Sequence, residues 1–345
     1  MSKSPDKFRE FIWAMYDFAD TIFSMNVVSL YFPLLIVSDL GAEDIYVGAA
    51  NSASQIAVVL LAPLLGTISD RTGKRMPLFT AFAIITAVAT ASMMFIGKAQ
   101  LLWGALFLFF IANLAYQLSL TFYNSLLPRV SSAERWGKVS GLGTALGYVG
   151  SIVGMAMVMP FNTGKFFGIA TPIPAMGRTG TFIPTAVLFS IFALPTLIYY
   201  FRDEKLKKYP ADTSSIHPIT KIIDTIRDAK KYRGIRTFLA SRLLFQEGVE
   251  TTIVFMGVFA EKAMNMPDSA KIVFFIIATT AAVVGSFIIG RITDALGAHR
   301  TLMLVLLGWI VGLSTLAIFP NRLVFWFVGG WLGIMLGGVW TASRP

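Results

Sequence analysis

Four carboxylates stand where a hydrocarbon-length helix should carry none. Tyr-Asp17-Phe-Ala-Asp20-Thr21 interrupts the first long apolar stretch of the chain, and Gln-Glu247-Gly-Val-Glu250-Thr251 interrupts a later one. Within each stretch the acids are three residues apart, which on a helix puts both on one side, roughly 4.5 Å apart along the axis. An ionised aspartate in mid-membrane costs about 2.5 to 3.5 kcal/mol, so four facing lipid would cost on the order of 10 kcal/mol. A wet interior removes that cost. There, two like charges held close favour sharing a proton, which is the chemistry a proton-coupled carrier uses. Structural readings stand beside this one. Asp17 lies near the start of its stretch, where it could bind Arg9 or a backbone donor, and the deeper Asp20, Glu247 and Glu250 could make interhelical bonds. Arg242 could neutralise a carboxylate, bind one on a substrate, or snorkel to the membrane edge.

Neutral polar residues fall at the same helical spacing. Asn51 and Gln55 are four apart in the second apolar stretch, and Asn113, Gln117 and Thr121 continue that step in the fourth. They are candidate substrate contacts or interhelical hydrogen bonds. Metal chemistry is not expected, because the chain has no cysteine and only His217 and His299, too few for a zinc centre. Nor is enzyme chemistry, since no set of nucleophile, base and orienter and no cofactor motif is visible.

The elements that must position these residues follow from composition. The 345 residues are 55% hydrophobic and 14% charged, with a mean hydropathy of +0.69, against about 25% charge in a soluble domain. A membrane helix needs about 20 mostly apolar residues. Ten such spans are predicted, near 11–37, 46–69, 76–97, 100–123, 139–159, 181–201, 237–259, 270–293, 301–319 and 321–341. The first exceeds a signal-peptide core and lacks a cleavage site, so it is read as a retained span. With the N-terminus in the cytoplasm, 22 of the 29 basic residues fall on the inner side, six on the outer, and Arg242 inside a span. The positive-inside rule therefore sets the orientation and accounts for the net charge of +10 without nucleic acid. The polar segment 202–236 divides a six-span unit (1–201) from a four-span unit (237–345). Within it Ile216, Ile219, Ile222, Ile223 and Ile226 recur at helical spacing among lysines and arginines, which suits a helix on an anionic leaflet or a solvated tether.

The two units share a turn. Gly66-Thr-Ile-Ser-Asp70-Arg71-Thr-Gly73-Lys74-Arg75 follows the second span, and Gly290-Arg-Ile-Thr-Asp294-Ala-Leu-Gly297-Ala-His-Arg300 follows the eighth. Glycines allow a tight turn, and the basic residues hold it on the cytoplasmic side. It is not a phosphate-binding loop, because the glycines are seven apart and Arg75 occupies the hydroxyl position. The fifth span carries Gly143, Gly147, Gly150 and Gly154, and the tenth Gly329, Gly333 and Gly337, small-residue stripes that let backbones touch.

This repeated turn resembles the signature loop of the major facilitator superfamily, whose members set two six-helix halves around a central cavity. The resemblance implies an all-α membrane bundle with pseudo-symmetric halves, ten of twelve expected helices, and an aspartate in each loop facing a helix N-terminus of the opposite half. For Asp294 that helix is the fifth span; for Asp70 it is an eleventh, which this sequence does not reach, so a truncated product is expected. Trp13-Ala-Met-Tyr-Asp-Phe-Ala-Asp20, Phe122-Tyr-Asn-Ser-Leu-Leu-Pro128, residues 134–148 (ERWGKVSGLGTALGY) and Glu247-Gly-Val-Glu-Thr251 are similar to the branch related to the vacuolar amino-acid effluxer of autophagy. It implies a secondary transporter of the cytoplasmic membrane, monomeric, needing no cofactor, moving a small polar metabolite such as an amino acid with H+ or Na+. A non-transporting remnant or ligand sensor is the alternative.

Overall fold

The computed structural model of the chain describes residues 6–206 and 234–342. The amphipathic segment expected at 216–226 lies outside them. Among these residues ten helices are long and apolar enough to cross a membrane, and each matches an expected span, the expected ends falling at most two residues outside the helix. They are α1 (the continuous segment Lys7–Asp39), α2 (Asp44–Thr72), α3 (Met76–Lys98), α4 (Leu102–Ser125) and α5 (Trp136–Thr163). After a hairpin of β1 (Lys165–Phe166) and β2 (Ile169–Ala170) come α6 (Phe182–Leu206), α7 (Ile235–Lys262), α8 (Asp268–Leu296), α9 (Ala298–Ile318) and α10 (Arg322–Ala342). Most run a few residues past the apolar stretches, because a helix can continue into the interface while its side chains turn polar. Lys7, Asp70 and Asp294 lie at one end of the bundle, the proximal end; the β-hairpin lies at the distal end.

Two groups of helices result. In the first, α1 packs on α5 and α6, α3 on α4 and α6, and α2 on α4; in the second, α10 packs on α8 and α9. The groups meet where α5 packs on α8 and where the distal part of α1 packs on α7. The glycine stripes make two of these packings close. A Cβ at Gly150 would overlap the Phe18 backbone carbonyl of α1, and one at Gly333 the Ala278 carbonyl of α8. Without those side chains the backbones come into contact, and dispersion and Cα–H contacts replace the absent hydrophobic drive.

Helix α1 is not uniformly wound. It is α-helical over Lys7–Phe23 and then takes wide π turns over Ser24–Tyr31 and Leu35–Asp39. The Phe32 amide donates to the Val27 carbonyl, five residues back, and the Leu40 amide to Leu35, 2.9 Å. Such turns place an extra residue per loop and cluster at functional sites.

The proximal end of the first group is tied by ion pairs. Arg9 pairs with Asp203 at 2.8 Å, not with Asp17, and Arg135 binds both oxygens of Glu10 at 2.9 and 2.6 Å. Glu204 of α6 accepts from the Arg75 and Met76 amides at the start of α3, at 2.7 and 3.0 Å. A carboxylate there satisfies orphan N–H groups and meets the positive end of the dipole.

Candidate functional site

Between the two groups lies a cavity of about 570 Å³. Asp17, Asp20, Thr21 and Ser24 reach it from α1, Asn51 and Gln55 from α2, Asn113, Tyr116 and Gln117 from α4, and Gln246 and Glu250 from α7. Thr144 and Tyr148 of α5, Phe274 and Thr279 of α8, Trp309 of α9 and Trp340 of α10 also line it. On α4 it extends to Asn124, beside the proximal end of the helix, whereas on α1 it stops at Ser29, ten residues short of the distal end. On α10 it reaches Trp340, again beside the proximal end, whereas on α2 and α8 it runs to Asn51 and Phe274, toward the distal end.

Each carboxylate in it is held differently. Asp17 Oδ2 accepts from the Tyr123 hydroxyl at 2.8 Å and lies against Gly143, where a Cβ would displace it. Tyr123 is itself fixed by the stacked Trp13 ring, 4.3 Å away, whose Nε1 donates to the Tyr123 carbonyl at 3.2 Å. Thr21 Oγ1 donates to the Gly147 carbonyl at 2.5 Å, so α1 is pinned to α5 just past the acids. Asp20 is 6% exposed; its Oδ2 has a long contact of 3.4 Å from the Tyr116 hydroxyl, and its Oδ1 is buried with no hydrogen-bond partner. Glu250 accepts from Gln246 at 3.0 Å and, across the two groups, from Gln55 at 3.3 Å. Asn113 donates to Asn51 Oδ1 at 2.8 Å and Ser54 Oγ at 2.7 Å.

Seven of the nine expected cavity residues are thus brought together. Glu247 is exposed and Arg242 partly so, and neither lines the cavity. Residues three apart on a helix differ by roughly 60° in direction, enough for the cavity edge to pass between Glu247 and Glu250. Thr121 also misses the wall and caps back onto Gln117 within α4 at 3.0 Å.

The distal end is held by an ion cluster that the sequence pattern does not announce. Arg178, just before α6, donates to Asp39 of α1 at 2.7 Å, to the Leu34 carbonyl at 3.2 Å, and to both oxygens of Asp268 at 3.1 and 3.0 Å. It also pairs with Glu261 of α7. Lys271, fully buried, pairs with Glu261 and, at 2.7 Å, with Asp268. Asn162 of α5 adds a bond of 2.7 Å to Asp268. Five elements of both groups are bolted together by charges whose partners replace lost water, the condition under which buried charge is tolerated. The one sequence hint is Asp268 and Lys271, i and i+3 at the start of an otherwise apolar helix.

The two signature turns differ. Gly73 takes the left-handed conformation, φ +67°, and Gly297 has φ +83°. Asp70 pairs with Arg75 at 2.9 Å, and Arg75 also donates to the Ser125 carbonyl at 2.5 Å; Arg71 is exposed. The residue that grips the aspartate is thus five positions on, where the second turn has His299. Asp294 and Arg300 are exposed, and Asp294 has no hydrogen-bond or ion-pair partner among the described residues. The contact expected of Asp294 with the start of α5 is thus not made through a hydrogen bond or ion pair among the described residues. Gly66 faces open space, so it serves no close approach here, and Gly290 is partly buried on α8.

Ten membrane-length helices among the described residues, in two groups with a polar chamber between them, match a multi-pass membrane transporter of the major facilitator kind. More narrowly, residues 44–345 match the family described as vacuole effluxer Atg22 like, and the chain belongs to it. It is 24% identical over 344 residues to the uncharacterized MFS-type transporter YxiO of Bacillus subtilis (strain 168), covering 96% of this chain and 78% of that one. Among solved structures, an aspartate-to-alanine mutant of the nucleoside transporter NupG superposes with a TM-score of 0.73 at 15% identity, over 97% of this chain and 81% of the other. A bacterial homolog of the human lysosomal transporter Spinster, in an inward-facing and unoccupied conformation, gives 0.63 at 14% identity, over 99% and 75%. At these identities the structures speak to the fold.

Proposed function

We propose that the protein is a secondary active transporter that moves a small polar metabolite, of the amino-acid class, by alternating access and in exchange with or alongside protons. The observation that carries this reading is the chamber itself, in which Asp17 and Asp20 of one helix group face Glu250 of the other while an ion cluster seals the distal end. Rocking of the groups about a mid-depth site requires such a seal on one side at a time. By the distribution of basic residues the proximal end faces the cytoplasm, so this is the inward-open state, and the protein acts as a monomer. Glu250 is placed to sense the rocking, because its bond to Gln55 spans both groups. The proton role falls to Asp20 and Glu250, and the substrate contacts to Asn51, Gln55, Asn113 and Gln117.

Proteoliposomes carrying an imposed pH gradient test this. Accumulation of a labelled substrate is expected with the native chain. Glu250→Gln is expected to abolish accumulation while sparing counterflow exchange, since exchange does not require net proton movement. Accumulation unchanged in Glu250→Gln refutes the proton role, and ligand binding without flux under any gradient refutes transport.

A further inference from the structure

The distal cluster divides by helix group as well as by charge. Arg178 turns one guanidinium nitrogen, Nη1, to its own group, donating to Asp39 at 2.7 Å and to the Leu34 carbonyl at 3.2 Å, both on α1. The other two, Nε and Nη2, face the second group, where they meet Asp268 at 3.1 and 3.0 Å and also Glu261. Lys271 pairs inside the second group, with Glu261 and, at 2.7 Å, with Asp268. Among the described residues of the cluster, the links that cross between groups are thus those of Arg178 to Asp268 and Glu261, and the 2.7 Å bond of Asn162 to Asp268.

Breaking the crossing links would strand no charge. Arg178 would leave with Asp39, and both acids of the second group with Lys271. An ion taken from its partner without a replacement is what makes a buried pair costly to open. While the links hold, Asp39 is redundant, because Arg178 already meets two carboxylates opposite; its side chain is also 41% exposed, against 17% for Asp268. From this we infer, on the basis of the transport reading above, that Asp39 is a positioning residue of the distal-open arrangement: it keeps Arg178 neutralised once the groups part. Lys271 does the same for Glu261 and Asp268. Loss of Asp39 costs the open arrangement its counter-charge and the closed one a third, redundant acid, so removing a carboxylate from the cluster favours closure. A plain tie would do the opposite.

Exposure of one cysteine tests this without cargo or gradient. The reporter is Val28→Cys on the chamber wall, in a chain that otherwise has no cysteine, labelled by a membrane-impermeant maleimide from the distal side of sealed vesicles. Asp268→Asn weakens the crossing links and is expected to raise the labelling rate. Adding Asp39→Asn to that variant is expected to lower the rate again by about fivefold, the scale of one partly exposed ion pair. Adding Asp39→Glu instead, which keeps the charge, should leave the rate near that of Asp268→Asn alone. Gel-filtration elution reports on folding, and a disrupted chain would label faster, not slower. A rate with Asp39→Asn equal to or above that of Asp268→Asn alone overturns the inference, as does an equal fall with Asp39→Glu, which would trace to shape rather than charge. Because no flux is measured, this order of rates can fail while transport stands, and transport can fail while the order holds.

Discussion

Tyr123 shows how much of the chamber's geometry rests on single side chains. Its hydroxyl holds Asp17 and its ring is clamped by Trp13, so Tyr123→Phe keeps the packing and removes a bond to a charged group. The expected cost is about 1.5 to 3 kcal/mol, read as a lower unfolding temperature in detergent. Gly150→Val tests the close approach of α1 and α5. It is expected to destabilise by about 1 to 3 kcal/mol or more, whereas Gly66→Ala, facing open space, should leave thermal unfolding unchanged. The acids and the Asn–Gln stripes were legible in the sequence because a polar group among apolar ones is a strong contrast. Tyr116, Tyr123 and Trp309 were not, because an aromatic side chain with one polar atom reads equally well as core, lipid surface or ligand contact. The carboxylate pair on α7 was legible as a pair but not as a split one, since the sequence shows that Glu247 and Glu250 are near neighbours and cannot show where the chamber's edge falls.

Among elements, the turns and the distal cluster carry separate predictions. Arg75→Ala removes the pairing to Asp70 and the bond to the end of α4, and is expected to destabilise the chain more than Arg71→Ala, whose side chain is exposed; thermal unfolding of the two variants checks this. The repeat in the sequence located both turns, but spacing alone did not show which basic residue meets the aspartate. The grip comes from the fifth residue on, because the chain must pass through left-handed Gly73 before a side chain can reach back. For the distal cluster, Arg178→Gln removes links to α1, α7 and α8 at once and should raise the population with the distal end open. The chain has no cysteine, so Val28→Cys on the chamber wall supplies a single reporter. With Arg178 intact it should resist a membrane-impermeant maleimide applied from the distal side of sealed vesicles, and with Arg178→Gln it should react. Equal protection in both backgrounds would show that other contacts seal that end.

At the scale of the whole molecule, span number and helix type followed from hydropathy alone, since length and apolarity are what a bilayer demands of a helix. That α9 lines the chamber did not, because Trp309 stands there among residues as apolar as those of its neighbours. Orientation is open to direct measurement: a protease-sensitive tag ahead of Lys7 should survive in intact cells and be cut in inverted vesicles. The wide turns in α1 bear on the movement of the whole. Asp20 and Asp39 belong to one continuous helix, the first meeting the chamber and the second gripping Arg178, with the loosened winding of Ser24–Tyr31 between them. Tightening that stretch by a single residue would rotate the Asp39 end by roughly 100° about the axis while the Asp20 end stayed put. One rod thus joins cargo to bolt, and a twist stored in its middle is enough to turn one against the other.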